Sequence, residues 1–268
     1  MKKYIFLFSV ALFGIIGCDK IEPEDFLIDG SGNGVVDTTT FVKKILIEDF
    51  TGHTCQNCPE ASDEIHTLQN ISAYQGKVYA VAIHSGFFST TNATFTTDFT
   101  TEEGNDIHDF FELSSYPKGM VNRIGYPNAL LDYAEWGNAI ANLISKEPEL
   151  AIKLSVENNT IVVEAKKLQE INNELKLVVM ITENNIIDKQ LAEGQGVIED
   201  YEHNHVLRST LNGAFGQSVE LNTTNFESFS FNYQIDSEWV EANCNILAYI
   251  YDDNTKEIIQ VEEIHLIP

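Results

Sequence analysis

Cys55 and Cys58 stand three residues apart in the run Thr51-Gly52-His53-Thr54-Cys55-Gln56-Asn57-Cys58-Pro59. That spacing lets the two sulfurs bond across a single turn of chain. Three chemistries fit such a pair. As a dithiol it exchanges disulfides, with Cys55 the attacking thiolate and Cys58 the resolving thiol. As half of a zinc or copper site it needs further ligands; Cys18 and Cys244 are isolated, which leaves His53 and His84 as the candidates to complete a set. As a structural disulfide it fixes the turn and does no chemistry. The residues alone leave these three open, and no organic cofactor or metal is required by any motif.

The elements that must position the pair read as strand, turn, helix. Lys44 to Phe50 is a short apolar, β-rich run. Ala61, Ile65, Leu68 and Ile71 recur at helical spacing after the turn. The pair therefore sits where a strand ends and a helix begins. Unpaired amides and the positive end of the helix dipole would stabilise a thiolate at Cys55, expected as the more exposed sulfur, with Cys58 more buried. Pro59 is tolerated because first-turn amides have no intrahelical partner.

A second strand is predicted over Lys77 to His84, a helix over Glu102 to Leu113, a strand over Gly119 to Ile124 and a helix over Leu130 to Ile144 around Trp136. From Glu149 onward strands recur at short intervals: Ala151–Val156, Thr160–Ala165, Leu175–Glu183, His205–Thr210, Phe226–Ile235, Cys244–Asp252 and Glu257–Ile267. Asn159 and Asn254 are the turn residues suited to positive φ. The fold class expected is thus α/β plus all-β: an α/β domain over 41–148 and an antiparallel β-sandwich of immunoglobulin type over 149–268. Cys244 is expected as a buried, inert thiol. The stretch from Gly194 to Gly216, with His203, His205 and Arg208, reads as a loop that packs onto the first domain rather than a binding loop. Asp252-Asp253-Asn254 reads as a hairpin turn, since the full ligand pattern of a calcium loop is missing.

The 268 residues carry 16 Lys+Arg against 41 Asp+Glu, a formal charge of −25. That balance argues against nucleic acid, which needs a basic surface, and against electrostatic docking on anionic lipid. At 43% hydrophobic residues, the chain has enough apolar material for two domains. Lys2 and Lys3 precede an apolar run from Tyr4 to Ile16, too short to span a bilayer, which ends at Gly17-Cys18. This resembles a bacterial lipoprotein signal, with residues 1–17 removed and Cys18 lipidated. Residues 18–40, rich in acids and glycine, read as a flexible tether. Membrane association through the lipid and a thiol-oxidising compartment follow.

The order strand, C-x-x-C, helix, strand, then Tyr116-Pro117 leading into a strand and a last helix resembles the thioredoxin fold. In that family the proline is cis and packs against the C-x-x-C, so the resemblance makes Pro117 a site residue beside Cys55 and Cys58. Thr54 and Pro59 depart from the family's usual tryptophan and basic residue. Glu48 to Pro59, Tyr116 to Arg123, and His203-Asn204-His205-Val206-Leu207-Arg208 with Gly213, Phe215 and Gly216 together resemble three signatures of the 28-kDa outer-membrane-protein (Omp) family of Bacteroidetes lipoproteins. The resemblance implies a lipid-anchored outer-membrane protein with a thioredoxin-like and an immunoglobulin-like domain. Function is expected to be of a binding or assembly type with an envelope protein partner. Thiol–disulfide oxidoreductase and metal handling are the alternatives. If Cys18 carries the anchor, Cys18→Ala will move the protein out of the membrane fraction or leave it unprocessed, as fractionation and the mass of the N-terminal peptide will show.

Overall fold

The computed structural model describes residues 41–267. The expected signal segment, Cys18 and the tether lie outside the described residues. The first strand, β1 (Ile45–Thr51), is buried along its whole length, as a strand covered on both faces must be. Side chains alternate across it. Ile45 and Ile47 face α1 (Cys58–Asn70) and α3 (Tyr133–Leu143), where they meet Ile65, Leu68, Trp136 and Ile140. Leu46 and Phe50 face the other way, toward Ile107 of α2 (Glu102–Phe110). β2 (Val78–His84) runs parallel to β1, from Ile45↔Val78 to Thr51↔His84. β3 (Lys118–Val121) is antiparallel to β1. Gly119 is required there, because a Cβ would come within 2.5 Å of the Trp136 ring and 2.7 Å of the Glu48 carbonyl. The helices start on local signals: the Thr101 hydroxyl accepts the Gly104 amide, and Asp132 with Glu135 forms a reciprocal cap on α3.

The rest of the chain is β-rich: β4 (Leu150–Glu157), β5 (Thr160–Lys167), β6 (Leu175–Glu183), β7 (Ile186–Ala192), β8 (Gly196–His203), β9 (Val206–Thr210), β10 (Gln217–Val219), β11 (Glu227–Asn232), β12 (Cys244–Asp252) and β13 (Ile258–His265). The main sheet has the order β13-β12-β6-β9-β2-β1-β3, with β10 also on β6. A three-stranded sheet, β11-β5-β4, lies over β6 and β12. Its Ile152, Ile161 and Val163 share a core with Leu177, Val179, Ile246 and Ile250. The coarse expectation of an α/β segment followed by a β-rich one therefore holds.

The expected separation at 148/149 is corrected. Ala82 of β2 pairs with Val206 of β9, so strands from both sides of that boundary share one sheet. The physical reason lies in the inner face of β1 and β2. α2 covers only part of it, and Val178, Met180, Leu247 and Tyr249 complete the same core. Three local readings also change. The strand at Gly119 stops at Val121 because Asn122 and Arg123 turn to positive φ (48° and 54°). The stretch Gly194–Gly216 is not a loop but holds β8 and β9. Lys256, rather than Asn254, takes the positive φ before β13, while Asn159 does so as expected.

The residues entering β1 are stitched to β13. The Lys44 amide donates to Gln260 Oε1 (3.0 Å), Gln260 Nε2 donates to the Val42 carbonyl (2.9 Å), and the buried Lys43 ammonium reaches the Ile259 carbonyl. Deeper in, Glu48 and Arg123 form a buried two-point ion pair, Nε to Oε2 at 2.7 Å and Nη2 to Oε1 at 2.6 Å. The same Nη2 donates to the Tyr249 hydroxyl of β12 (2.8 Å), and the guanidinium lies over the rings of Phe111, Tyr249 and Tyr251. Arg123→Met strands the Glu48 carboxylate in the core. The expected loss is about 3–5 kcal/mol, with the double variant Glu48→Leu/Arg123→Met less damaged than the single. Urea-unfolding midpoints of the three chains will test this.

Candidate functional site

α1 begins at Cys58, with Asn57 before it and Pro59 in its first turn. Cys55 lies in the preceding turn, its amide donating to the Gly52 carbonyl (3.0 Å). The helix N-terminus thus belongs to Cys58 rather than to Cys55. The two sulfurs form a disulfide with Cα atoms 5.4 Å apart. Cys55 is 3% exposed and Cys58 2%, so the two cysteines are buried almost alike. Gly52 permits the turn: a Cβ would stand 2.5 Å from the Phe88 carbonyl group. That carbonyl in turn accepts both the amide and the hydroxyl of Thr54 (3.0 and 2.8 Å).

The Tyr116–Pro117 bond is cis, as is Tyr126–Pro127. β3 starts one residue after Pro117, with Lys118 opposite Phe50. Continuing that register sets Pro117 opposite Thr51, the last residue of β1 before the cysteine turn. The Tyr116 hydroxyl donates to the Ser85 carbonyl (2.8 Å), and its ring meets Phe88 edge-on. The loop of Pro117 is therefore tied to the segment that packs on the cysteine turn.

Behind the disulfide lies a cavity of about 20 Å³, the size of a single water, lined among others by Asp49, Cys58, His84, Gln190, Tyr201 and His203. Strand alternation explains it: Asp49 follows Ile45 and Ile47 on the α1 face of β1, and His84 follows Val78 and Ala80 on the same face of β2. Asp49 is buried, its Oδ1 has no hydrogen-bond partner, and burial pushes its carboxyl up to about 8. His84 and His203 pack at 5.6 Å between ring centres, both 4.9 Å from Phe99. Burial holds His84 well below the ordinary imidazole range, with the neighbouring His203 adding to it, and holds His203 down to about 4. His53 stacks on Phe95 with its Nε2 3.3 Å from the Thr90 carbonyl. Among the described residues no group of three or more His, Cys, Asp and Glu is arranged to hold a metal. Cys244 is fully buried and burial pushes its thiol up to about 12, as a packed, inert cysteine requires.

Asp49, Gln190 and Tyr201 escape a reading of the sequence alone. For Asp49 the signal was present: two adjacent acids inside an apolar strand must face opposite sides, and Arg123 pairs with only one of them.

A family model described as outer membrane protein Omp28 matches residues 104–266. No curated protein matches the chain. HBP35 of Porphyromonas gingivalis is similar in structure, with a TM-score of 0.66 over 84% of this chain and 76% of its own, at 15% identity. A protein of Agrobacterium tumefaciens has a TM-score of 0.54 over 84% of this chain and 95% of its own, at 12% identity. A domain of the outer membrane lipoprotein Omp28 from P. gingivalis is 21% identical over 44% of this chain and 88% of its own, with a TM-score of 0.31.

The buried groups set how stability changes with pH. Asp49 keeps its proton when folded and loses it near pH 4 when unfolded, so its contribution falls as pH rises from about 4 to about 8. His84, His203 and His205 are held low, so their contribution is complete above about pH 6.5 and is lost as pH falls toward about 4. Urea midpoints should peak near pH 6.5. Glu263, whose carboxyl burial pushes up to about 7, adds to the decline as far as that pH, so Asp49→Asn should flatten the curve between about pH 7 and 8 and leave the acid side in place.

Proposed function

We propose that this chain, which belongs to the Omp28 outer membrane protein family, is a lipid-anchored envelope protein whose Cys55–Cys58 pair exchanges disulfides with thiol-bearing partners. The observation that carries this reading is Asp49. A buried carboxyl with an unpaired oxygen costs stability, and no structural partner offsets that cost here. Placed on the cavity that Cys58 lines, it is a proton donor and acceptor for that sulfur. The thioredoxin-like character of the first segment is part of the proposal. It is supported by the parallel β1 and β2 with the cysteine turn between β1 and α1, by antiparallel β3 after the cis Tyr116–Pro117, and by α3. The immunoglobulin-like reading of the second segment is supported by the β11-β5-β4 layer over β6 and β12, and would give a surface for partners.

The exchange runs from the oxidised pair. A partner thiolate attacks Cys55 Sγ; the new S–S bond forms as the Cys55–Cys58 bond breaks, and Cys58 leaves as a thiolate that takes the Asp49 proton. A second partner thiolate attacks the partner's sulfur in the mixed disulfide and releases Cys55 as a thiolate. The partner dithiol loses two electrons, which the cysteine pair gains. Its two thiol protons go to solvent, from which Asp49 and Cys55 are reprotonated.

A second reading keeps the disulfide as a clasp for a binding protein, and the burial of both sulfurs favours it. Two measurements separate the readings. Exchange requires that Cys58→Ser trap mixed disulfides at Cys55 and that the pair titrate in the range of exchange proteins. A potential below about −300 mV with nothing trapped would leave the clasp.

A further inference from the structure

β6 and β9 pair directly, Glu183 with Val206, so the main sheet has no need of the residues between them. Residues 184–205 leave the sheet, form the separate hairpin of β7 and β8, and return. The hairpin lies on the cysteine turn. The Leu191 amide donates to the His53 carbonyl (2.8 Å) and the Glu193 amide to the Gln56 carbonyl (2.9 Å). The Leu191 amide lies on the edge of β7 that faces away from β8, and the Glu193 amide in the turn that follows the strand. The buried Gln190 side-chain amide donates to the carbonyls of Cys55 (3.0 Å) and Gly52 (3.3 Å). A register shift between Asp188 and Gln190 re-aims the strand at this point. The cysteine turn therefore presents a row of backbone acceptors, at residues 52, 53, 55 and 56, filled by the chain's own segment 190–193. Both ends of the insertion pass through left-handed residues, Asn185 (φ 55°) and His205 (φ 58°), positions at which a hinge can take up rotation.

We infer that the β7–β8 hairpin is a cover seated on a peptide-binding edge, and that an extended polypeptide bearing a thiol reaches Cys55 by taking the place of residues 190–193. The inference rests on the exchange reading for its chemistry, but the cover itself is independent of it. The partner class follows from the acceptors: backbone carbonyls select the amides of an extended chain rather than any particular side chain.

The test uses the soluble chain from residue 19 onward, as wild type, Gln190→Ala and Leu191→Pro. Gln190→Ala removes the side-chain bonds to the turn; Leu191→Pro removes one backbone donor. One arm reduces the disulfide with a phosphine and labels the freed cysteines with maleimide under native conditions. The other uses a short unstructured peptide with one cysteine. Each variant should be reduced about tenfold faster than wild type in both arms, the scale of lost hydrogen bonds. Equal rates in all three chains overturn the cover. Faster phosphine reduction with no peptide adduct in any chain keeps the cover and removes exchange. If the variants do not fold, hydrogen exchange on the wild type decides. Leu191 and Glu193 amides must open faster than those of β12; if they open only with global unfolding, the proposal is wrong.

Discussion

The ion pair of Glu48 and Arg123 is the constraint around which the two parts of the chain are assembled. Its acid comes from β1 and its base from the turn after β3, while the hydroxyl that shares the charge comes from β12. Two charges removed from water are tolerable only when fully met, so the three elements must be in place together. The aromatic rings around the guanidinium come from both segments as well. Arg123 and Asn122 adopt left-handed backbone to reach this arrangement, and Asn122 also binds both the amide and the carbonyl of Leu46. The ion pair spans the two parts of the chain, which share the main sheet.

That arrangement also isolates Asp49. Neighbouring residues of a strand face opposite sides, so the pair that satisfies Glu48 cannot satisfy Asp49. One face of β1 carries a paired acid and the other an unpaired one, next to neutral imidazoles and a disulfide. The β7–β8 hairpin supplies Gln190, Tyr201 and His203 to the wall of the pocket beside Asp49. The same element thus packs both on the cysteine turn and beside Asp49.

Much of the fold was legible in the residues. β6 and β12 have the ends expected of them, because both are long apolar runs bounded by Asn, Asp and Glu. The cysteine turn at a strand–helix junction was legible for the same local reason. The hairpin was not: β7 and β8 carry Asp188, Glu199, Asp200 and Glu202 among few buried positions, so alternation is weak and the glycines at 194 and 196 dominate the pattern. Of the site, Cys55, Cys58 and Pro117 were named from spacing and resemblance. The roles of Gln190 and Arg123 depend on partners 75 to 138 residues away along the chain, which no local pattern encodes, and the paired acids of β1 do not themselves tell that Asp49 is the one left without a partner.

The stitching of residues 42–44 to β13 has a mechanical meaning. A pull on the chain from its N-terminal side enters the described fold at β1, a strand inside the sheet with β2 on one side and β3 on the other. Such a load runs along the strand and acts on the β1 hydrogen bonds in shear, all at once, rather than peeling them one by one. Before it reaches them it must strip the bonds of Val42, Lys43 and Lys44 to Ile259 and Gln260. A body held by its N-terminal end would therefore take tension along β1, with the cysteine turn at the far end of the strand that carries the force.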